Sequence, residues 1–186
     1  ARVRALEEDG KTVMFVAVDG RLAGLIAVAD TLKASAVEAV EMLKRQGIEV
    51  VMLTGDNERT ARAVARKVGI ERVVADVLPA DKAKVIGELK KEGRLVAMVG
   101  DGINDAPALA SSDVGIAIGS GTDVAKEAGG IVLLRDDVRD VARAVELSKR
   151  TVAKIRQNLF WAFAYNVGLI PVAAGVLYVF GGPLLN

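Results

Sequence analysis

Two aspartates and one asparagine lie close together in the stretch Gly100–Pro107, directly after a short apolar run that is typical of a buried strand. Asp101, Asn104 and Asp105 project two carboxylates and an amide from one small loop. Gly100 and Gly102 in this loop allow backbone conformations that a side chain would forbid. Clustered carboxylates repel one another unless a cation or a proton lies between them. Mg²⁺ suits such a cluster because it binds one or two carboxylates together with water and phosphate oxygens. The alternative is a polar turn that only caps a helix.

A second polar loop, Thr54–Asp56, follows another short apolar run, Glu49–Leu53. Because ligands bind beyond the carboxyl ends of parallel strands, we expect this loop and Asp101–Asp105 to lie side by side at one edge of a sheet. A hydroxyl, backbone N–H groups and carboxylates would meet there, which is the arrangement that holds a phosphoryl group with Mg²⁺. Lys82 is close enough in the chain to reach the same edge. The alternatives are a helix-capping turn for the loop and a solvated surface position for the lysine.

The elements that must position these loops alternate along the chain. Asp19 and Gly20 form a typical hairpin turn between the runs Lys11–Asp19 and Arg21–Ala29. From residue 34 onward, helices alternate with short strands, which predicts an α/β fold with a parallel sheet and helices on both faces. The predicted helices are Ala34–Gln46, Glu58–Val68, Pro79–Glu92, Ala106–Ser111 and Thr122–Ala128, and the predicted strands are Glu49–Leu53, Arg72–Ala75, Val96–Val99, Val114–Ile118 and Ile131–Leu134.

The segment Leu159–Phe180 contains no charged residue. As a helix it would measure roughly 33 Å, enough to cross the apolar core of a bilayer. Four basic residues precede it, which predicts that its N-terminal end faces the cytoplasm. Tyr165 and Asn166 interrupt the apolar run, and polar groups at such depth face a helix bundle or an ion path. The alternatives are a buried core helix and polar groups that only join helices.

Composition excludes several classes of chemistry. The chain has 186 residues, a formal net charge of +1, and neither cysteine nor histidine. Disulfides, cysteine nucleophiles, zinc fingers and histidine-based triads are therefore excluded, and the charge gives no reason to expect binding to nucleic acid.

Three motifs together resemble the phosphorylation domain of P-type ATPases, within the haloacid dehalogenase superfamily. They are Thr54-Gly55-Asp56, Pro79-Ala80-Asp81-Lys82 and the run Gly100–Leu109. The later pattern of Asn158, Tyr165-Asn166 and Pro171 resembles copper-transporting members of the heavy-metal subclass. The resemblance implies a haloacid-dehalogenase-like Rossmannoid parallel sheet with flanking helices, followed by a transmembrane helix. It divides the chain into the end of a nucleotide-binding domain (1–29), the C-terminal part of the phosphorylation domain (30–142), and a connecting and transmembrane helix (143–186).

The resemblance also implies roles for the motif residues. Mg²⁺ would be held by Asp101 and Asp105, and a phosphoryl group and its loop by Thr54, Gly55, Asp56, Lys82 and Asn104. Tyr165 and Asn166 would belong to a transmembrane copper(I) site. Asp30 and Lys33 resemble the hinge where the nucleotide-binding domain rejoins.

The chain lacks the Asp-Lys-Thr-Gly-Thr motif that carries the family's nucleophile. The resemblance implies that the chain is part of an ATP-driven copper(I) exporter that forms an aspartyl phosphate. Without the nucleophile, we expect the chain to be inactive alone. Its expected partners are the actuator domain, the nucleotide-binding domain and the other transmembrane helices of the same multi-pass ATPase, the lipid bilayer and a copper chaperone, but not nucleic acid.

Two other functions stay open at this point. One is a phosphatase of the same superfamily with Asp30 as nucleophile and a hydrophobic membrane anchor. The other is a non-catalytic module that binds phosphate or Mg²⁺.

Overall fold

A computed structural model describes residues 2–28, 32, 34–100, 105–119 and 130–174. The helices are α1 Arg2–Glu8, α2 Ala34–Arg45, α3 Glu58–Val68, α4 Lys82–Lys91, α5 Ala106–Ser111 and α6 Arg139–Ala173, and a 3₁₀ turn covers Pro79–Asp81. The strands are β1 Thr12–Val18, β2 Arg21–Val28, β3 Val51–Leu53, β4 Arg72–Val74, β5 Ala97–Gly100, β6 Val114–Ile118 and β7 Ile131–Leu133. Contacts divide the chain into two compact units, Ala1–Arg143 and Ala144–Asn186.

The predicted hairpin is confirmed. β1 and β2 pair antiparallel, with Met14 opposite Ile26. Asp19 and Gly20 both have positive φ, 50° and 74°. Two successive residues of positive φ are what the tightest hairpin turn requires, because its twist then matches that of the strands.

Local signals also set the limits of α3. Its predicted range is confirmed residue for residue. Asn57 precedes the helix in an extended conformation, and its side chain accepts the backbone N–H of Thr60. Gly69 ends the helix with φ 79°, in the left-handed conformation that glycine adopts without steric cost. The predicted helix Thr122–Ala128 lies outside the described residues, and α1 was not predicted.

All strand pairing from β3 onward is parallel, as predicted, but the described strands form two sheets instead of one. β3 pairs with β4, and β5, β6 and β7 pair in that order. No described strand forms a ladder with both β3 and β5. Leu53 of β3 nevertheless packs against the core cluster that contains Met98 of β5.

That core cluster supports the ends of the strands. It consists of Ile86, Met98, Ala108 and Leu109, all at most 8% exposed. Ile86 comes from α4, and Ala108 and Leu109 come from α5. The cluster therefore fixes the two helices that begin next to the predicted phosphoryl site.

The first turn of α6 is held to α2. Arg139 donates to Glu38 at 2.9 Å and also binds the carboxylate of Asp137. The Arg139 side chain and its backbone N–H together lower the pKa of Asp137 to about 2. Gln46 of the following turn donates to the carbonyl of Ala142 at 3.0 Å. The bonds to Glu38 and to Ala142 join residues 101 and 96 positions apart in the chain.

α6 includes the predicted membrane segment Leu159–Phe180 only as far as Ala173. In the part of the chain that the structure describes, no helix combines the length and the apolar character that crossing a membrane requires. The prediction of a transmembrane helix is therefore not supported by the described residues.

Candidate functional site

The site is built around an ion pair between two of the predicted residues. Lys82 donates to Asp105 at 2.6 Å, and their side chains are only 17% and 13% exposed. Lys82 is the first residue of α4, directly after the 3₁₀ turn at Pro79. Asp105 directly precedes α5 but makes no side-chain capping bond to it. The lysine is thus not a solvated surface residue, and the aspartate is not serving as a helix cap.

Gly100 makes the position of Asp105 possible. A Cβ atom built on Gly100 would lie 2.5 Å from Oδ2 and 2.8 Å from Cβ of Asp105. The Asp105 side chain therefore lies directly against the end of β5. The sequence suggested a backbone conformation as the reason for this glycine, but Gly100 is not among the described residues with positive φ. The reason is steric: a side chain at position 100 would occupy the space of the carboxylate.

The Thr54–Asp56 loop is folded on itself. The Thr54 hydroxyl donates to Asp56 Oδ2 and accepts the backbone N–H of Asp56, both at 3.1 Å. A Cβ atom on Gly55 would lie 3.3 Å from the carbonyl oxygen of Val77, so the loop also lies close to the segment after β4. Asn57, not Thr54 or Asp56, caps α3. The capping alternative for this loop is thereby wrong, and its hydroxyl and carboxylate hold the loop in shape instead.

Asp76 is a site residue that sequence reasoning missed. It follows β4 and has φ 55°, which is uncommon outside glycine but tolerated by aspartate. Its backbone N–H donates to the carbonyl of Asp56 at 2.9 Å, and Val77 donates to the carbonyl of Thr54 at 3.1 Å. The available signal was its place shortly after a short strand, since Asp76 lies in the loop that follows β4 as Asp56 lies in the loop that follows β3.

Asp101 and Asn104, the other predicted residues of this site, lie outside the described residues. Among those that are described, no group of three or more acidic, histidine or cysteine side chains is placed to hold a metal ion. The chemistry of the nearby donors is consistent with Mg²⁺, since the carboxylates of Asp56 and Asp105 and the hydroxyl of Thr54 are all hard oxygen ligands. Leu53, the last residue of β3, packs against the core cluster to which β5 contributes Met98, so both strands share one core.

The second predicted site lies on α6. Tyr165 is 64% exposed, and its ring is 6.4 Å from that of Trp161. The amide nitrogen of Asn166 donates to the carbonyl of Ala162 at 2.8 Å, one turn earlier in the same helix. These contacts are local to the helix, and a role of the two residues in copper binding stays a prediction.

A model of the haloacid dehalogenase-like hydrolase family matches residues 1–113. The chain belongs to the haloacid dehalogenase-like hydrolase family. This membership confirms the prediction, made from the three motifs, that the chain belongs to the haloacid dehalogenase superfamily of enzymes. The parallel strands with flanking helices are consistent with that family.

Within this hydrolase family, the chain is similar to heavy-metal P-type ATPases. It is 55% identical over 181 residues to copper-transporting ATPase 2 of Rhizobium meliloti, which covers 97% of this chain and 22% of the relative. It is 57% identical over 177 residues to a probable copper-exporting P-type ATPase of Archaeoglobus fulgidus, covering 95% of this chain and 22% of the relative. The crystal structure of a zinc-transporting PIB-type ATPase matches with a TM-score of 0.77 at 40% identity, covering 94% of this chain and 29% of that one. The predicted resemblance is confirmed, and the chain spans about a fifth of the length of these curated relatives.

Proposed function

We propose that this chain supplies one half of the phosphoryl-transfer site of a copper(I)-exporting P-type ATPase that forms an aspartyl phosphate from ATP. The observation that carries the proposal is the ion pair of Lys82 and Asp105, which lies against Gly100 at the carboxyl end of β5. A fixed lysine beside carboxylates at this edge can offset the charge of a phosphoryl group during its transfer.

In this proposal each residue has a separate task. Thr54 and Gly55 contact phosphoryl oxygens, and Asp56 keeps the loop in shape through its bonds to Thr54. Lys82 neutralises charge on the phosphoryl group, and Asn104 contacts that group. Mg²⁺ would be held by Asp101 and Asp105, where it would offset negative charge on the transferred group.

The nucleophilic aspartate must come from outside this chain, because the chain has no Asp-Lys-Thr-Gly-Thr sequence. The split into two sheets supports this view. Among the described strands, β3 forms a ladder only with β4, and β5 only with β6, so each has one edge without a ladder. A strand that entered between them would bring its carboxyl end next to Thr54 and Asp105. The alternative of a phosphatase with Asp30 as nucleophile has no supporting observation, since Asp30 lies outside the described residues.

Copper as the transported ion is supported by the relatives, since two named as copper-transporting or copper-exporting are 55% and 57% identical to this chain. The zinc-transporting structure is 40% identical.

We propose that residues 143–186 connect to and enter a multi-pass membrane region, where Tyr165 and Asn166 contribute to the copper path. The remaining domains of the ATPase, the bilayer and a copper chaperone are the proposed partners, and residues before the helix lie in the cytoplasm. The change of compact unit after Arg143 is consistent with the last boundary of the division 1–29, 30–142 and 143–186.

The test is phosphorylation by γ-labelled ATP with Mg²⁺ of this chain, of an upstream fragment carrying the Asp-Lys-Thr-Gly-Thr motif, and of their mixture. We expect acid-stable label only in the mixture and only on the upstream fragment. Lys82→Met should lower the labelling rate on the order of a hundredfold, as loss of a transition-state charge contact does. Lys84→Met is the matched control because Lys84 is exposed on the same helix. Label on this chain alone would refute the proposal that its nucleophile lies elsewhere.

A further inference from the structure

The segment Glu7–Thr12 runs from the end of α1 to the first residue of β1, and contacts of its backbone and side chains attach it to α3. Lys67 donates to the carbonyl of Asp9 at 2.9 Å, and Arg59 pairs with Glu7 at 3.0 Å. Thr60 donates its hydroxyl to the carbonyl of Lys11 at 3.2 Å. Three separate positions of one helix thus hold this segment.

Thr60 differs from the other two because it is buried. It is 2% exposed, and it is the one buried polar or charged residue among those the structure describes. Its hydroxyl also accepts the side-chain amide of Asn57 at 3.0 Å, and its backbone N–H donates to Asn57 Oδ1 at 3.1 Å. Removing this buried hydroxyl would leave the polar groups that bond to it unsatisfied, which is costly.

These hydrogen bonds continue into the loop Thr54–Asp56. Asn57 directly follows Thr54-Gly55-Asp56, so Thr60 links the Lys11 carbonyl to the end of that loop. A second link runs from the Thr12 hydroxyl to Asp56 Oδ1 at 3.4 Å. The other oxygen of the same carboxylate accepts the Thr54 hydroxyl. The start of the hairpin therefore touches the residues that set the shape of the loop.

We propose that Thr60 is a positioning residue that connects the segment Glu7–Thr12 to the loop Thr54–Asp56. We call this set of contacts the joint. Through the joint, a displacement of the hairpin changes how rigidly that loop is held. The joint itself is independent of phosphoryl chemistry. Its significance for phosphoryl transfer rests on the proposed function, in which Thr54 contacts the phosphoryl group.

The first experiment compares Thr60→Val, which keeps the size of the side chain, with Thr60→Ser, which keeps the hydroxyl. Hydrogen exchange is followed at the backbone amides of Asp56, Asp76 and Val77, whose acceptors all lie within the loop. In Thr60→Val we expect these amides, and the hairpin, to exchange faster by on the order of tenfold, with Thr60→Ser close to the unchanged chain. The Gly119 amide, bonded to Leu133 in the other sheet, is the internal reference and should not change. Unchanged loop exchange in Thr60→Val, or an equal increase at Gly119, would overturn the proposal.

The second experiment tests the contact without removing any hydrogen bond. A Cβ atom on Gly10 would lie 3.9 Å from Cβ of Ala63 on α3, within the range for a disulfide, although a side chain at Gly10 is strained by its φ of 83°. Because the chain has no cysteine, the pair Gly10→Cys with Ala63→Cys is unambiguous. We expect an intramolecular disulfide in a glutathione buffer, and slower exchange at the loop amides once it forms. A disulfide that forms but leaves exchange at the loop amides unchanged would overturn the joint. Neither measurement uses ATP, so a failure of the joint and a failure of the proposed function are distinguishable.

Discussion

Replacing Gly100 by alanine should displace the Asp105 side chain and so disrupt its ion pair with Lys82. The added Cβ would lie 2.5, 2.8 and 3.0 Å from Oδ2, Cβ and Cγ of Asp105. All three distances are well below ordinary van der Waals contact, and two of the atoms belong to the stiff base of the side chain. Asp105 must therefore move, and its 2.6 Å bond to Lys82 must lengthen or break.

Two effects contribute to the expected loss of stability. Inserting a methyl group into a packed position costs about 1–3 kcal/mol. Separating a fully buried ion pair costs about 3–5 kcal/mol, and about 1–2 kcal/mol is reasonable here because both side chains retain some exposure to water. These effects overlap, so we expect the free energy of unfolding to fall by about 2–4 kcal/mol, a large part of the roughly 5–15 kcal/mol typical of a domain.

Urea unfolding followed by circular dichroism measures this change. With a slope of about 2 kcal/mol per molar urea, the midpoint should fall by roughly 1–2 M. Gly87→Ala is the matched control, since Gly87 lies within α4 and a Cβ there would meet nothing within 4 Å. That variant should gain about 0.5–1 kcal/mol from helix propensity. A Gly100→Ala variant within about 0.5 kcal/mol of the unchanged chain would refute the steric reasoning.

Two further predictions concern the surroundings of the site. Leu109→Ala removes a side chain of the core cluster that is 1% exposed, and it should lower the free energy of unfolding by about 2–5 kcal/mol in the same urea assay. Leu95→Ala, at a side chain that is 91% exposed, should change it by less than about 0.5 kcal/mol, and equal effects of the two would contradict the assigned core. The pKa of Asp137 is lowered from 3.8 to about 2 by Arg139, so its contribution to stability is present above pH 3.8 and is lost as the pH falls through about 2. Asp137→Asn should therefore lower the thermal midpoint at neutral pH, and the difference from the unchanged chain should disappear near pH 2; a difference that is constant across this range would show that the ionised carboxylate is not responsible.

The parts of the fold that could be predicted from the sequence are those that local signals determine. Asn57 and Gly69 set the limits of α3 because a side-chain cap and a left-handed glycine act within one turn. Asp19 and Gly20 set the hairpin for a similar reason. α1 was missed because it is short and buries no residue fully, although Val3 and Leu6 are spaced three apart and half-buried.

Tertiary contacts were less predictable. The alternation of strands and helices was enough to predict that Lys82 and Asp105 lie at one edge of the sheet. It could not predict their ion pair, which joins residues 23 positions apart. The ion pair forms only when α4 and α5 pack together through Ile86, Met98 and Leu109. The separation of β3 from β5 was not predictable either, since a run of apolar residues does not specify which neighbour it pairs with.

Gly100 shows how the same residue can be predicted for the wrong reason, and the two reasons have different consequences. If the glycine were required for its backbone conformation, Gly100→Ala would cost the same whatever stands at position 105. If it is required because Asp105 occupies the space of a side chain, the cost must depend on that aspartate. In an Asp105→Gly background, the three atoms nearest to an added Cβ are absent. Gly100→Ala should then cost less than about 1 kcal/mol, and a coupling of at least about 1 kcal/mol between the two positions would assign the requirement to packing.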